Sequence, residues 1–398
     1  MSRILKVMVA LLAIAAIAAP VMAEDRLSLG GQMRVRGWHI DNDGQDNTES
    51  WMDQRLRIGG KLSIAEGVSI TFRTDITEST WGSGNANGSG RTTVQTPSGG
   101  YSDFQSQHWD RAHIDLEKND MHLRAGQQFI KFGKSGIDVQ DNGLTFNYKG
   151  AIPVTVFWML YDDGDSKNNS DGYYYGARVA HGTDAYKASL FYIADSDRQS
   201  NVINGIGVTF ETKIADLVNL YAEIEGFDGD SSTAASGDAT GLQGYVDASM
   251  MLSEAVTIGG QFFYADSADS GDTQVVVLGN NFDGWDPLLE VGTGLSNEEI
   301  DLGRPYDVFG MGSGFIGGRI YSNFKASDAL NLGASFAYGE PETDRTGDNV
   351  DGMIALAGGM SYDLMANTKL DLQLQYVDLD KDDDSEEFSA GVGLFVNF

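Results

Sequence analysis

Arginine recurs at every second position in several short stretches of this chain. Arg34 and Arg36 form one pair, Arg55 and Arg57 another, and Lys61 extends the second at the same parity. Side chains at i and i+2 of an extended strand point the same way, so each pair would place its cations on one face. Arg73, Arg111, Arg124 and Arg178 take the same parity when their own segments are read as strands. A row of guanidinium groups guides carboxylates or phosphates; it does not by itself make or break bonds. Later segments carry the opposite sign in the same pattern, with Glu223, Glu225, Asp247 and Asp371, and Arg319 against the trend. Asp75, Asp115 and Glu117 accompany the early cations. Two facing rows of opposite sign inside a narrow, wet tube would hold a transverse field that favours polar, hydrated solutes. The plainer alternative is a polar interior in which neighbouring Arg and Asp pair.

Covalent chemistry finds little support. With no Cys, thiolate nucleophiles, disulfides, Cys-bound zinc and iron–sulfur clusters are excluded together. Gly133-Lys134-Ser135 resembles the end of a phosphate loop, but Gln128 stands where its first Gly belongs. No G-x-S-x-G elbow occurs. His113 and His122 fall on adjacent strands with the lumenal parity, but two His without a nucleophile or third ligand read better as polar lining. Asp41, Asp43 and Asp46 surround Gly44 like the start of a calcium loop, yet Met52 stands where the bidentate Glu would be. That segment reads first as a turn-rich surface loop and second as a weak calcium site. No other cofactor is indicated.

The overall charge is strongly acidic, formally -31. Nucleic-acid binding needs a basic footprint and is excluded. The densest acid lies in 267–311, with Asp283, Asp286 and Glu290 beside the apolar Trp285, Leu288 and Leu289. A loop of this length is usually functional. Two readings stand: it folds into the barrel or onto a neighbouring subunit, or it is an external loop that holds divalent cations near lipopolysaccharide.

The elements that position these residues are strands. Residues 1–23 are set aside as a secretory signal peptide: Arg3 and Lys6 precede a short apolar run, and Pro20 and Val21-Met22-Ala23 end it. From residue 24 onward, period-2 alternation repeats to the end of the chain. Leu56, Ile58, Leu62 and Ile64 alternate with Arg55, Arg57, Lys61 and Ser63; Leu370, Leu372, Leu374 and Tyr376 alternate with Asp371, Gln373, Gln375 and Val377. About 18 such strands can be counted, with 16 as the alternative. Long polar connections alternate strictly with tight ones such as Ala65–Gly67, Asn119-Asp120 and Ser253-Glu254. That alternation predicts an all-β, antiparallel, up-and-down transmembrane β-barrel over 24–398, with short turns at one rim and long loops at the other. Aromatics test it independently. Tyr148, Phe210, Phe324, Tyr362 and Phe398 should face outward at the tight-turn ends, and Tyr192, Tyr264, Tyr338 and Tyr376 near the loop ends, forming two girdles. Parity turns Trp38 and Trp109 toward the lumen.

The signal peptide, the repeated hairpins and the last strand resemble the Gram-negative outer-membrane porins. In that strand Phe388, Ala390, Val392, Leu394, Val396 and the terminal Phe398 alternate outward. The resemblance implies a water-filled channel in the outer membrane for small hydrophilic solutes and ions, no enzymatic activity, and a homotrimer in contact with lipid and lipopolysaccharide. It implies that Phe398 is an assembly signal read by the barrel-assembly machinery. One departure is visible. General porins narrow the pore with a long acidic third loop, whereas the third long connection here, 131–142, is short and carries Lys131 and Lys134. A rival within transport is a channel selective for carboxylates or phosphates. Rivals of other classes are a barrel enzyme and a structural or adhesive barrel.

Overall fold

The computed structural model describes residues 26–42, 47–81, 93–95, 101–103, 108–134, 138–162, 172–197, 201–230, 238–267, 273–274, 292–295, 313–342, 350–381 and 385–398. The signal-peptide reading of 1–23 lies outside them, as do Asp43, Asp46, Asp283, Asp286 and Glu290.

Eighteen strands form the wall. They are β1 (Leu27–Asn42), β2 (Asn47–Ala65), β3 (Val68–Thr80), β4 (His108–Lys118), β5 (Met121–Lys131) and β6 (Asp138–Tyr148). Next come β7 (Val154–Asp162), β8 (Gly172–Gly182), β9 (Tyr186–Asp197), β10 (Asn201–Ile214), β11 (Val218–Asp230) and β12 (Asp238–Met251). The last six are β13 (Val256–Ala265), β14 (Phe315–Lys325), β15 (Leu330–Glu340), β16 (Val350–Met365), β17 (Thr368–Lys381) and β18 (Ser385–Asn397). Each pairs antiparallel with its neighbours in sequence, and β18 pairs with β1 from Gln32↔Asn397 to Asn42↔Glu387. The count is therefore 18 rather than 16, and the sheet closes with no free edge. Closure is what lipid demands, because an unpaired backbone group there costs several kcal/mol.

Alternation explains the two faces. On β9 and β10, Leu190, Ile206, Val208 and Phe210 are exposed on the outer surface, while Phe191 and Ile193 are buried inside. Tyr148, Phe324, Tyr362 and Phe398 are likewise exposed outside at the tight-turn rim. The turns themselves need left-handed backbone: Gly67, Asn119, Ala215, Asp216 and Asn367 all have positive φ. Gly67 has a second constraint, since a Cβ there would meet the Glu117 carbonyl.

Apart from a slip at Ser63/Ala65 beside the first tight turn, two irregularities shift parity on the early strands. The β2–β3 register slips between Leu56 and Arg57, and the β3–β4 register slips between Arg73 and Thr74. A bulge puts two residues opposite one and re-aims the side chains beyond it. The second bulge brings Asp110 and Arg111 to the same interior and turns Trp109 out. Trp109 is 38% exposed and meets Phe72 edge-on at 6.3 Å. The expectation of a lumenal Trp109 is thus corrected; strict alternation cannot see a bulge. Trp38 does face inward and is buried, stacked against Trp51. The third long connection is shorter than its sequence suggests, because Asp138–Asn142 pairs with Gln127–Lys131 and extends β6.

Candidate functional site: the barrel lumen

The inner wall of β1–β5 gathers the cations. Arg34 stands opposite Arg55, and both reach Glu78, at 3.0 and 3.8 Å. Arg36 Nε donates to both oxygens of Asp53 at 2.9 and 3.1 Å, and Trp38 Nε1 donates to the same carboxylate at 3.1 Å. Arg57 holds Asp75 through Nε and Nη2 at 2.6 and 2.8 Å. Arg73 Nε donates to Asp110. Asp115 accepts from Arg124 Nε at 2.8 Å and from His122 Nε2 at 2.7 Å, with His113 Nε2 at 3.4 Å. Lys61 is on the same face near the turn rim, opposite Ser28, and is exposed. Six of the nine predicted lumenal cations therefore have a carboxylate partner, as charges in a low-dielectric wall tend to. Arg111 and Arg178 differ. Neither makes an ion pair among the described residues; Arg111 lies 5.9 Å from the Phe129 ring and Arg178 5.3 Å from the Phe132 ring.

The start of the short third connection, residues 132–134, reaches across the lumen. It leaves β5 with Phe132 buried among Phe157, Phe191 and the Arg178 guanidinium. Two residues later, the Lys134 backbone N–H donates to Glu223 Oε2 at 2.7 Å and to Tyr221 Oη at 3.0 Å. Tyr221 Oη also donates to Glu223. Lys134 Nζ rests 4.6 Å from the Tyr221 ring centroid. Those partners belong to β11, six strands from β5. Gly133 is required between them: its φ is +80°, and a Cβ would strike the Glu223 carboxylate. A long acidic loop is therefore not needed to enter the pore. A buried Phe, a Gly and one backbone amide do it.

A second connection enters from the other side. Gly294 N–H donates to Asp371 Oδ2 at 2.5 Å, and Thr293 Oγ1 donates to Gln373 Oε1 at 2.5 Å. Leu295 packs into an apolar cluster on the inner wall that includes Trp38, Phe263, Phe315, Met353, Val377 and Phe395. Of the two readings of 267–311, this segment supports the one in which the connection folds inward.

The carboxylates of the later strands thus have specific work. Glu223 and Asp371 hold loop amides. Glu225 is buried and accepts from Gln243. Asp247 accepts from Tyr245 Oη, Gln261 Nε2 and Tyr321 Oη at 2.9, 2.8 and 3.0 Å. The tyrosines and the inner apolar cluster were not picked out by charge reading. Their signal was present: the inward positions of β17 run Asp371, Gln373, Gln375 and then Val377 and Leu379, turning apolar toward the loop rim.

Asp41, from the calcium candidate, lies in β1 and accepts from Thr48 Oγ1 at 2.8 Å. Among the described residues, no group of three His, Asp or Glu is arranged to hold a metal ion.

No protein-family model and no curated protein matches the sequence. Solved structures do match. OccK9 (OpdG) of Pseudomonas aeruginosa is 12% identical with a TM-score of 0.62, over 94% of this chain and 99% of that one. OccAB1 of Acinetobacter baumannii is 13% identical with a TM-score of 0.62, over 96% and 98%. Pseudomonas aeruginosa OpdK, solved with vanillate, is 9% identical with a TM-score of 0.57, over 93% and 99%. The chain has the fold of the Gram-negative outer-membrane porins.

Proposed function

We propose that this barrel is an outer-membrane channel of a Gram-negative bacterium that passes small hydrophilic solutes by diffusion and favours carboxylates. One observation carries the reading. Inside a closed barrel narrowed from two sides, Arg111 and Arg178 are guanidinium groups that form no direct ion pair among the described residues, and Arg178 flanks the third connection. A planar carboxylate matches a guanidinium fork, and low-dielectric walls confine the field that draws it in. Likeness of fold supports this, since OpdK was solved with vanillate and OccK2 (OpdF) with glucuronate, both carboxylates. On the same reading, residues 1–23 direct export, Phe398 is read by the assembly machinery, three copies associate, and acidic outer connections bridge to lipopolysaccharide through divalent cations. No covalent step is part of it. The test is reconstitution in a planar bilayer. Currents should reverse at an anion-selective potential in high salt, and vanillate or glucuronate should block at lower concentration than neutral analogues. Cation selectivity at high salt with no block by either acid would overturn it.

A further inference from the structure

We propose that His113 is a proton-binding site that ties the strength of carboxylate block to pH. The proposal rests on the channel reading above, in which Arg111 meets the anion, and adds a residue that tunes this contact without touching the solute. The tautomer of His113 is fixed by its neighbours. Its Nδ1 lies 3.0 Å from the Gln127 backbone oxygen, and a carbonyl can only accept, so Nδ1 carries the proton. In the neutral ring, Nε2 then holds a bare lone pair. That atom is buried, has no hydrogen-bond partner, and stands 3.4 Å from Asp115 Oδ2. Two acceptors therefore face each other away from water, an arrangement that costs free energy until a donor comes between them.

The carboxylate is one donor short. An ionised carboxylate offers about four lone-pair positions. Asp115 Oδ1 accepts from His122 Nε2 and Arg124 Nε, and Oδ2 accepts from Thr71 Oγ1 at 3.2 Å. The remaining position on Oδ2 is the one beside His113 Nε2. A proton taken up by Nε2 fills it and turns a repulsion into a charge-assisted hydrogen bond. Histidine suits the task, because its ordinary pKa, roughly 6.5, lies close to neutrality.

Charged groups reach this pair from each adjoining strand. β3 places Arg73 opposite Arg111, and its Thr71 lies between His113 and Lys61 of β2. β5 contributes His122 and Arg124. β4 itself adds Asp110, Arg111 and Glu117; Asp110 is taken by Arg73, and Glu117 lies 4.0 Å from His122 Nε2. Asp115 is the carboxylate that faces His113 Nε2. Before uptake, Arg124 offsets the charge of Asp115. After it, the same cluster carries one more positive charge, about 7 Å along the strand from Arg111. Between low-dielectric walls, an anion held at Arg111 feels that charge.

The experiment uses the full barrel, in detergent for NMR and in planar bilayers for current, with glucuronate as the anionic probe. Imidazole nitrogen spectra should show His113 protonated at Nδ1 alone at about pH 8 and at both nitrogens at about pH 5. Contacts with Thr71, its cross-strand neighbour, assign the signal in the parent chain, so this part stands even if a variant fails to fold. Glucuronate block should tighten roughly threefold or more over the same interval, and His113→Gln should abolish that step. A ring that keeps one proton throughout, or holds two throughout, would overturn the proposal. So would a step in block that survives in His113→Gln, as it would if His122 were the group that titrates. A barrel that takes up the proton but carries no current would refute the channel reading and leave the proton site standing. One that conducts and is blocked by glucuronate equally at both pH values would do the reverse.

Discussion

The ring of Phe398 lies in the space that a Cβ on Gly31 would occupy, its Cζ atom 2.6 Å from that position. The two residues also exchange backbone hydrogen bonds, from Gly31 N–H to Phe398 O at 2.7 Å and from Phe398 N–H to Gly31 O at 3.0 Å. This contact spans the seam at which β18 meets β1. Phe398 is therefore part of barrel closure.

Gly31→Ala should displace that ring and weaken the seam by about 1–3 kcal/mol, the usual cost of overpacking. Phe398→Ala removes the ring but not the Arg57 carbonyl oxygen, 2.5 Å from the same position, so the double variant should lose somewhat less than the two single losses added together while keeping part of the Gly31→Ala cost. Thermal melting of the folded band on semi-native gels measures it. Additive losses would mean that the ring moves aside freely and the Arg57 carbonyl sets the whole cost of a side chain at Gly31.

Ion pairing in the arginine row predicts an asymmetry in stability. Arg57→Gln leaves Asp75 fully buried without its bidentate partner. Breaking a buried pair costs about 3–5 kcal/mol, and the further contacts that Asp75 keeps set this case toward the lower end. Arg57→Gln with Asp75→Asn should recover most of that loss. Arg111→Gln should cost far less, since Arg111 has no ion pair among the described residues to strand. Urea midpoints of the refolded barrel would separate the three. Equal losses for Arg57→Gln and Arg111→Gln would contradict the assigned pairing.

The same division governs permeation. Arg111→Gln with Arg178→Gln should weaken vanillate block of the current at least tenfold. An unchanged block would place the anion contact elsewhere in the lumen.

Strand number, direction and the two faces were legible because each residue states its own side: Leu190 outward and Phe191 inward follow from alternation alone. Trp109 was misassigned because a single extra residue at Asp110 reverses the count, and nothing local marks it. The lumenal contents were harder for a different reason. Glu223 looks like any inward charge until the backbone of Lys134, 89 residues away in sequence, donates to it. Which carboxylate carries field and which holds a loop is decided by long-range contact, and periodicity contains none of that. The inward Val377 and Leu379 were readable as a surface needing cover, but not what covers it.

Beyond the strands, two carboxyls meet at the loop rim. Glu342 Oε2 accepts from Ser267 N–H at 2.5 Å, and Tyr264 Oη donates to both Glu342 and Asp266. Burial, and then the Glu342 carboxylate, push the Asp266 pKa up. Burial works against ionised Glu342, but the hydrogen bonds from Ser267 outweigh it and hold that carboxyl below its usual range. The signs are opposite. The folded state holds the Asp266 proton more tightly than the unfolded chain does, so its contribution grows as pH falls through the raised value. Glu342 contributes above its unfolded value, and that contribution is lost as pH falls through the lowered one. Carboxyl carbon NMR should show Asp266 protonating first. Glu342→Gln should reduce the Asp266 shift without abolishing it, because burial remains. A Glu342 that protonates first would reverse the assignment.

The contact of Lys134 with Glu223 should set the size of the opening. A hydrogen bond to a charged acceptor contributes about 1.5–3 kcal/mol, enough to change the ratio of docked to undocked states at least tenfold. Glu223→Ala removes the acceptor. Gly133→Ala leaves it in place but puts a methyl group against it at a backbone angle that alanine resists. Both changes should release residues 132–134 from β11 and raise single-channel conductance, with wide-state openings at least tenfold more frequent. The double variant should add little, because residues that act through one contact are not additive. Phe132→Ala should act in the same direction, since Phe132 fills the pocket formed by Phe157 and Phe191 that brings the loop to that height. Glu223→Gln separates charge from geometry. Its amide oxygen can still accept from Lys134 N–H, so wide-state openings should be rarer than in Glu223→Ala while selectivity moves toward anions. If conductance is the same in Gly133→Ala, Glu223→Ala and the parent, the third connection is not the constriction, and the segment anchored on Asp371 becomes the candidate to test next.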